Sequence, residues 1–224
     1  MLASELQLGK VISPPFDENT YIAHLANRRD CIVFDPGFDP DSICDYLEKR
    51  ELTPAAILCT HGHSDHIAGN AAMKDRWPQA PLVIGVGDAS KLTDPQGNLS
   101  AAFGVALISP PSDRTVDEPD LFEAAGLKLE VLATPGHSSG HVVFLCRQVE
   151  PWYVFGGDVL FRGSVGRTDF PDGDFDALRA SIHDKLFSLP DDTIVLPGHG
   201  PATTIGREKQ SNPFVGAPAG YVPS

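Results

Sequence analysis

Residues 60–66 read Thr60, His61, Gly62, His63, Ser64, Asp65, His66, and they follow directly on the apolar run 55–59. Three imidazoles and a carboxylate therefore crowd one short stretch. Neutral imidazole and carboxylate suit zinc, iron, manganese and similar divalent ions, and histidine is the commonest metal ligand. A buried strand over 55–59, an exit loop over 60–64 and a helix opening at Asp65 and running through Ile67, Ala71 and Trp77 would aim these side chains at one point. The competing reading, a polar loop that merely contains histidines, leaves their spacing unexplained.

The same arrangement recurs further along the chain. His137 closes Thr134, Pro135, Gly136, His137 after the apolar run 129–133, and Asp158 follows Gly156 and Gly157 after 152–155. His199 follows Pro197 and Gly198 after 194–196. Each strand-like run thus ends in glycine plus a potential ligand, and glycine permits a tight turn and close backbone approach. His61, His63, Asp65, His66, His137, Asp158 and His199 together supply enough donors for two metal ions. Two-metal hydrolytic sites hold their ions about 3.5 to 4 Å apart with a bound water or hydroxide.

The pattern resembles the metallo-β-lactamase fold hydrolases, whose H-x-H-x-D-H signature stands here as His61, His63, Asp65, His66, followed in the family's order by His137, Asp158 and His199. Within that superfamily the chain is similar to the small, single-domain type II glyoxalases (hydroxyacylglutathione hydrolase-like). The likeness extends through 92–100 (LTDPQGNLS), 156–171 (GGDVLFRGSVGRTDFP) and 196–212. It implies an α/β fold of the αββα sandwich kind, with two central mixed β-sheets flanked by helices; periodicity by itself gives only α/β. One domain over 1–212 is expected, followed by a loose Pro- and Gly-rich tail over 213–224.

The resemblance also implies a division of labour. His61, His63 and His137 would hold one divalent ion, Asp65, His66 and His199 a second, and Asp158 would bridge them. Zinc is the expected metal, with iron or manganese accepted by the same donors. Asp65 and Asp158 are the expected catalytic carboxylates. A metal-bridging hydroxide would attack the carbonyl of a small-molecule thioester or ester, including glutathione-derived substrates such as a hydroxyacylglutathione. The alternatives are a mononuclear-iron persulfide dioxygenase, similar here in Gly166, Arg167, Thr168, Asp169 and Phe170, a lactonase or other ester hydrolase of the same fold, and a binding role without catalysis.

Composition narrows the field from another side. At 224 residues, with 42% hydrophobic and 21% charged, the chain suits one large globular α/β domain. Lys and Arg number 17 against 30 Asp and Glu, a net charge of −13, which argues against a nucleic-acid partner because phosphate binding rests on cations. No run approaches the roughly 20 apolar residues of a membrane span, and no signal pattern opens the chain. A cytoplasmic location without a membrane partner is expected, and nothing sets the oligomeric state. Cys31, Cys44, Cys59 and Cys146 form no C-x-x-C pair and are expected as free thiols.

Elsewhere, strands are expected over 6–12, 20–26, 31–34, 82–86, 127–133 and 142–146. Helices are expected over 41–50, capped by Asp39 or Asp41, over a brief 88–92, after Asp174 with the stripe Phe175, Leu178, Ile182, Leu186, and over 203–210. Asp35 is either a group that orients a ligating imidazole or a turn residue. By the resemblance, the long connection 93–119 belongs to the substrate entrance. His141 is expected to pack or face solvent, and His183 and His24 to be uninvolved, His183 exposed. Arg162, Arg167, Arg207 and Lys209 are candidate anion contacts, or simply solvated charges.

Overall fold

Alternation along the strands sorts the apolar side chains into three layers. The protein is seen in a computed structural model that describes residues 5–222. The first sheet contains β1 (Leu6–Ser13), β2 (Glu18–Leu25), β3 (Asp30–Phe34), β4 (Thr53–Cys59), β5 (Leu82–Gly85) and β6 (Arg114–Val116), in that spatial order. The second contains β7 (Leu121–Ala124), β8 (Leu127–Ala133), β9 (Val142–Cys146) and β10 (Tyr153–Gly157), then, beyond the small hairpin β11 (Leu160–Phe161) and β12 (Ser164–Val165), β13 (Ile194–Pro197) and β14 (Thr203–Thr204). Its order is β14-β13-β10-β9-β8-β7. Both sheets are mixed: β3, β4, β5 and β6 run parallel, as do β10 and β13, while the remaining neighbours are antiparallel.

Successive side chains on a strand point to opposite faces. Ile32 and Phe34 accordingly join Phe144, Phe155 and Leu129 between the sheets, where the rings of Phe34 and Phe155 stack at 3.7 Å. Cys31 and Val33 point the other way, against Ile43, Leu47 and Met73 of α1 (Pro40–Lys49) and the motif helices. On the far side, Val143, Leu145 and Val195 meet Leu178, Ile182 and Leu186 of α4 (Phe175–Ser181) and the π-helical turn Ile182–Leu186 that continues it. The layers are helix, sheet, sheet, helix, the sandwich expected from the resemblance. Asp39 caps α1 by accepting the Ser42 amide at 3.1 Å. No helix among the described residues is long and apolar enough to cross a membrane.

Several local expectations are corrected. The motif helix is two helices, Ser64–Ile67 and Asn70–Arg76, which we number α2 and α3. The break falls at Gly69, whose amide donates to the Pro36 carbonyl at 2.8 Å and whose missing side chain lets the two backbones touch. Phe175 is 37% exposed and leaves the apolar stripe to the three residues after it. β6 and β7 were not anticipated, and the connection 93–119 contains the 3-10 turn Ser100–Phe103. The expected closing helix starts two residues late, as α5 (Ile205–Ser211), after β14. The tail is not loose where described: Val215 is buried in the third cluster and Tyr221 packs on it. His183 is half-buried rather than exposed, because its Nε2 donates to the Val215 carbonyl at 2.8 Å.

Candidate metal centre

The loops leaving β4, β8, β10 and β13 open on one edge of the sandwich, and they bring all seven expected side chains together. Their ligand atoms fall into three overlapping sets, each within 4.8 Å: His61, His63, His137; His61, His66, Asp158; and Asp65, His66, His199. Asp158 stands between the outer two. Its Oδ2 lies 3.6 Å from His137 Nε2 and 3.5 Å from His199 Nε2, while its Oδ1 lies 3.4 Å from His66 Nε2. Asp65 Oδ2 faces His199 Nε2 at 3.3 Å. Gly198 makes this crowding feasible, since a Cβ there would sit 2.3 Å from Asp158 Oδ1 and 2.5 Å from the His66 ring. The other motif glycines admit different neighbours, Lys91 at Gly62, Leu178 at Gly136 and Thr60 at Gly157.

Hydrogen bonds fix the imidazoles from behind. His137 Nδ1 donates to the Arg167 carbonyl at 2.8 Å, and His199 Nδ1 donates to that of Phe16 at 3.0 Å. In the neutral ring that a metal requires, each bond leaves Nε2 as the lone-pair nitrogen aimed inward. His66 Nδ1 lies 3.2 Å from Asp35 Oδ2. Asp35 also accepts the Thr60 amide at 2.7 Å and its hydroxyl at 2.8 Å, so of its two readings the orienting one holds. His141 packs, as expected, and does not face solvent. Its ring stacks on His61, its Nδ1 bonds Thr134 Oγ1 at 3.0 Å, and its Nε2 accepts the Asp158 amide at 3.2 Å.

Charge states follow from burial and neighbours. Burial, reinforced by the surrounding imidazoles, holds His61 well below the ordinary histidine range and His63 down at about 3. Burial would raise Asp158, but His66 and His199 outweigh it and keep the carboxyl well below its usual value. Burial likewise opposes protonation of His66 and His199, yet Asp158 and Asp65 prevail, raising His66 well above the usual range and His199 to about 10. Without an ion the protein sets imidazolium against carboxylate in the second triad.

The residues fit divalent metal ions. Buried His61 Nε2, His66 Nε2 and Asp158 Oδ1 have no hydrogen-bond partner, although buried polar atoms are nearly always satisfied. With His137 donating from Nδ1, His63 Nδ1 donates to His137 Nε2 at 2.9 Å, which leaves His63 Nε2 as another buried nitrogen without a partner.

A cavity of about 590 Å³ opens above the cluster. Phe16, Leu99, Phe103, Phe161 and Phe170 form much of its wall, and Gln96, Ala101 and Ala102 confirm that the connection 93–119 borders the site. Of the candidate anion contacts only Arg167 lines it. Arg162 donates to the Ala202 carbonyl, Lys209 to Asp191, and Arg207 is exposed beside Glu208. His24 lies on β2 against the Leu25 carbonyl, apart from the cluster.

One group escaped the sequence reading. Asp88, fully buried, accepts the amides of Gly62 and Gly140 and the hydroxyl of Ser138, and it is paired with Lys91. Lys91 in turn reaches Asp172 at 2.6 Å. Nothing in GVGDASK distinguishes Asp88 from a surface turn residue, so only its neighbours in space reveal it.

Residues 14–199 match the metallo-beta-lactamase superfamily. The chain is 36% identical over 192 residues, 84% of its length and 89% of the relative's, to the hydroxyacylglutathione hydrolase GloC of Haemophilus influenzae. Among solved structures it is similar to the BLEG-1 B3 metallo-beta-lactamase, with a TM-score of 0.89 and 36% identity over 93% of this chain and 99% of that one. It is also similar to TTHA1623 in a di-iron-bound form, with a TM-score of 0.80 and 37% identity over 92% and 99%. With the His and Asp cluster at the sheet edge and these likenesses, the chain belongs to the metallo-beta-lactamase superfamily and is one of its metallo-hydrolases.

Proposed function

We propose that the protein hydrolyses thioesters, hydroxyacylglutathione-like ones among them, at a centre of two divalent ions. His61, His63 and His137 would hold one ion and Asp65, His66 and His199 the other, with Asp158 shared. The observation that carries this reading is the position of Asp158, whose two oxygens face ring nitrogens of both triads. The name of the Haemophilus relative supports the thioester. Two bound ions supply a water acidified to near neutrality and a Lewis acid for the carbonyl oxygen.

The chain's own groups do the rest. The carbonyl backing of His137 and His199 and the Asp35 contact to His66 hold the donors in place, so little reorganisation accompanies reaction. Phe170, packed against His63 and His137, borders the place of the reacting bond and would thin the water around it. A thiol with a solution pKa near 8.5 departs as thiolate, so no dedicated general acid is required.

The test pairs metal content per chain with assays on S-lactoylglutathione, a β-lactam, and glutathione persulfide with oxygen uptake. Two ions per chain and thioester cleavage are expected. One iron with oxygen uptake and no cleavage would replace hydrolysis by oxidation, and cleavage of the β-lactam alone would replace the substrate class.

A further inference from the structure

The walls of the cavity point to a narrower substrate than the donors do. Phe170 packs edge-on against His63 and His137 at 5.2 and 5.7 Å, and Phe161 against His199 at 6.2 Å. Phe16 and Phe103 meet edge to face at 5.3 Å across the mouth, although Phe103 is 63% exposed. Exposed aromatic side chains gathered around a polar floor mark a surface that apolar ligands cover.

Cations are scarce on the same walls. Arg167 is the one Lys or Arg among the described lining residues, and its Nε and Nη2 already donate to Asp169, at 2.9 and 2.8 Å, while its face lies over Phe170. Lys91, the nearest buried ammonium, is held by Asp88, Ser138 and Asp172. Glutathione carries two carboxylates, and a carboxylate moved from water to an aromatic wall without a cation is strongly disfavoured. The net charge of −13 adds a long-range repulsion of anions.

We propose, resting on the thioesterase reading above, that this cavity selects thioesters whose acyl group is uncharged and apolar over hydroxyacyl esters of glutathione. Water adds to the carbonyl carbon, the carbon–sulfur bond breaks with its electron pair leaving on sulfur, and the thiolate takes up a proton. The products are the carboxylic acid and the free thiol, and no further reactant enters.

The experiment measures kcat/KM of the metal-loaded protein on acetyl, butanoyl and hexanoyl thioesters of N-acetylcysteamine, a neutral thiol, beside S-lactoylglutathione. Each buried methylene is expected to raise kcat/KM about fourfold until the cavity is filled. The butanoyl ester should therefore exceed the acetyl ester by more than about tenfold, and the hexanoyl ester should exceed S-lactoylglutathione. Phe103→Ala is expected to lower the hexanoyl-to-acetyl ratio at least about fivefold. A flat chain-length series with S-lactoylglutathione the best substrate overturns this inference and leaves the thioesterase reading standing. Cleavage of none of the esters overturns both.

Discussion

Asp88 Oδ2 accepts the amide of Gly62 at 2.8 Å, at the residue that separates His61 from His63. Its Oδ1 accepts the amide of Gly140 at 2.9 Å, three residues beyond His137. One buried carboxylate thus ties the turn between His61 and His63 to the loop of His137, and its hydrogen bonds go to neither Asp65 nor His199. Asp88→Ala is expected to weaken metal binding at the first triad about 10- to 100-fold, the usual effect of removing a group that supports ligands. The second triad should be little changed. Chelator competition followed by metal counting would resolve two binding constants in the parent protein, and a variant in which both are unchanged would remove Asp88 from this role.

Among the described residues, Asp158 is the one side chain whose oxygens face both outer triads. Asp158→Ala should therefore cost the protein its metal and its turnover together. The fold should survive, because Asp158 belongs to none of the three apolar clusters and His66 and His199 can shed the protons that its carboxylate had held. Circular dichroism, metal analysis and activity on one preparation check this. Full activity with metal retained would show that the two triads work without a shared ligand.

Much of this centre could be read from the chain because it is built locally. His61, His63, Asp65 and His66 lie within one turn, and each remaining donor announces itself by a strand, a glycine and a ligand type. The helix after the motif was misread for the opposite reason. Its apolar periodicity runs unbroken through Ala68 and Gly69, and the interruption comes from the contact of Gly69 with Pro36 and Gly37. Asp88 and His183 share that cause: each is defined by partners distant in sequence, Gly140 for one and Val215 for the other. The short β6 and β7 add too few alternating residues to stand out from a loop.

Metal loading should release protons, and mostly from the second triad. His199 is raised to about 10 and His66 is raised as well, so below that range both carry protons in the metal-free protein. A metal binds only the neutral ring, hence the second site must displace them. His61 and His63 are already neutral. Apparent affinity at the second site is expected to rise with pH through the neutral range, while that of the first stays nearly level. Calorimetric titration in buffers of different ionisation enthalpy counts the protons, and equal release at both steps would contradict the charge states described here.

His183 holds the C-terminal segment to the helix that carries it. Its Nε2 donates to the Val215 carbonyl at 2.8 Å, and its ring lies 4.9 Å from Tyr221 and 5.6 Å from Phe187. His183→Ala breaks one partly buried hydrogen bond and two ring contacts, a loss of about 1 to 2 kcal/mol in unfolding free energy. The residue touches no donor of the metal cluster and lines no part of the cavity above it. Turnover should accordingly stay within about tenfold of the parent, the equivalent of 1.4 kcal/mol of barrier. Denaturant unfolding of the metal-free chain reads the first effect and steady-state kinetics the second. A turnover loss larger than that with unfolding unchanged would tie the C-terminal segment to catalysis instead of to the fold.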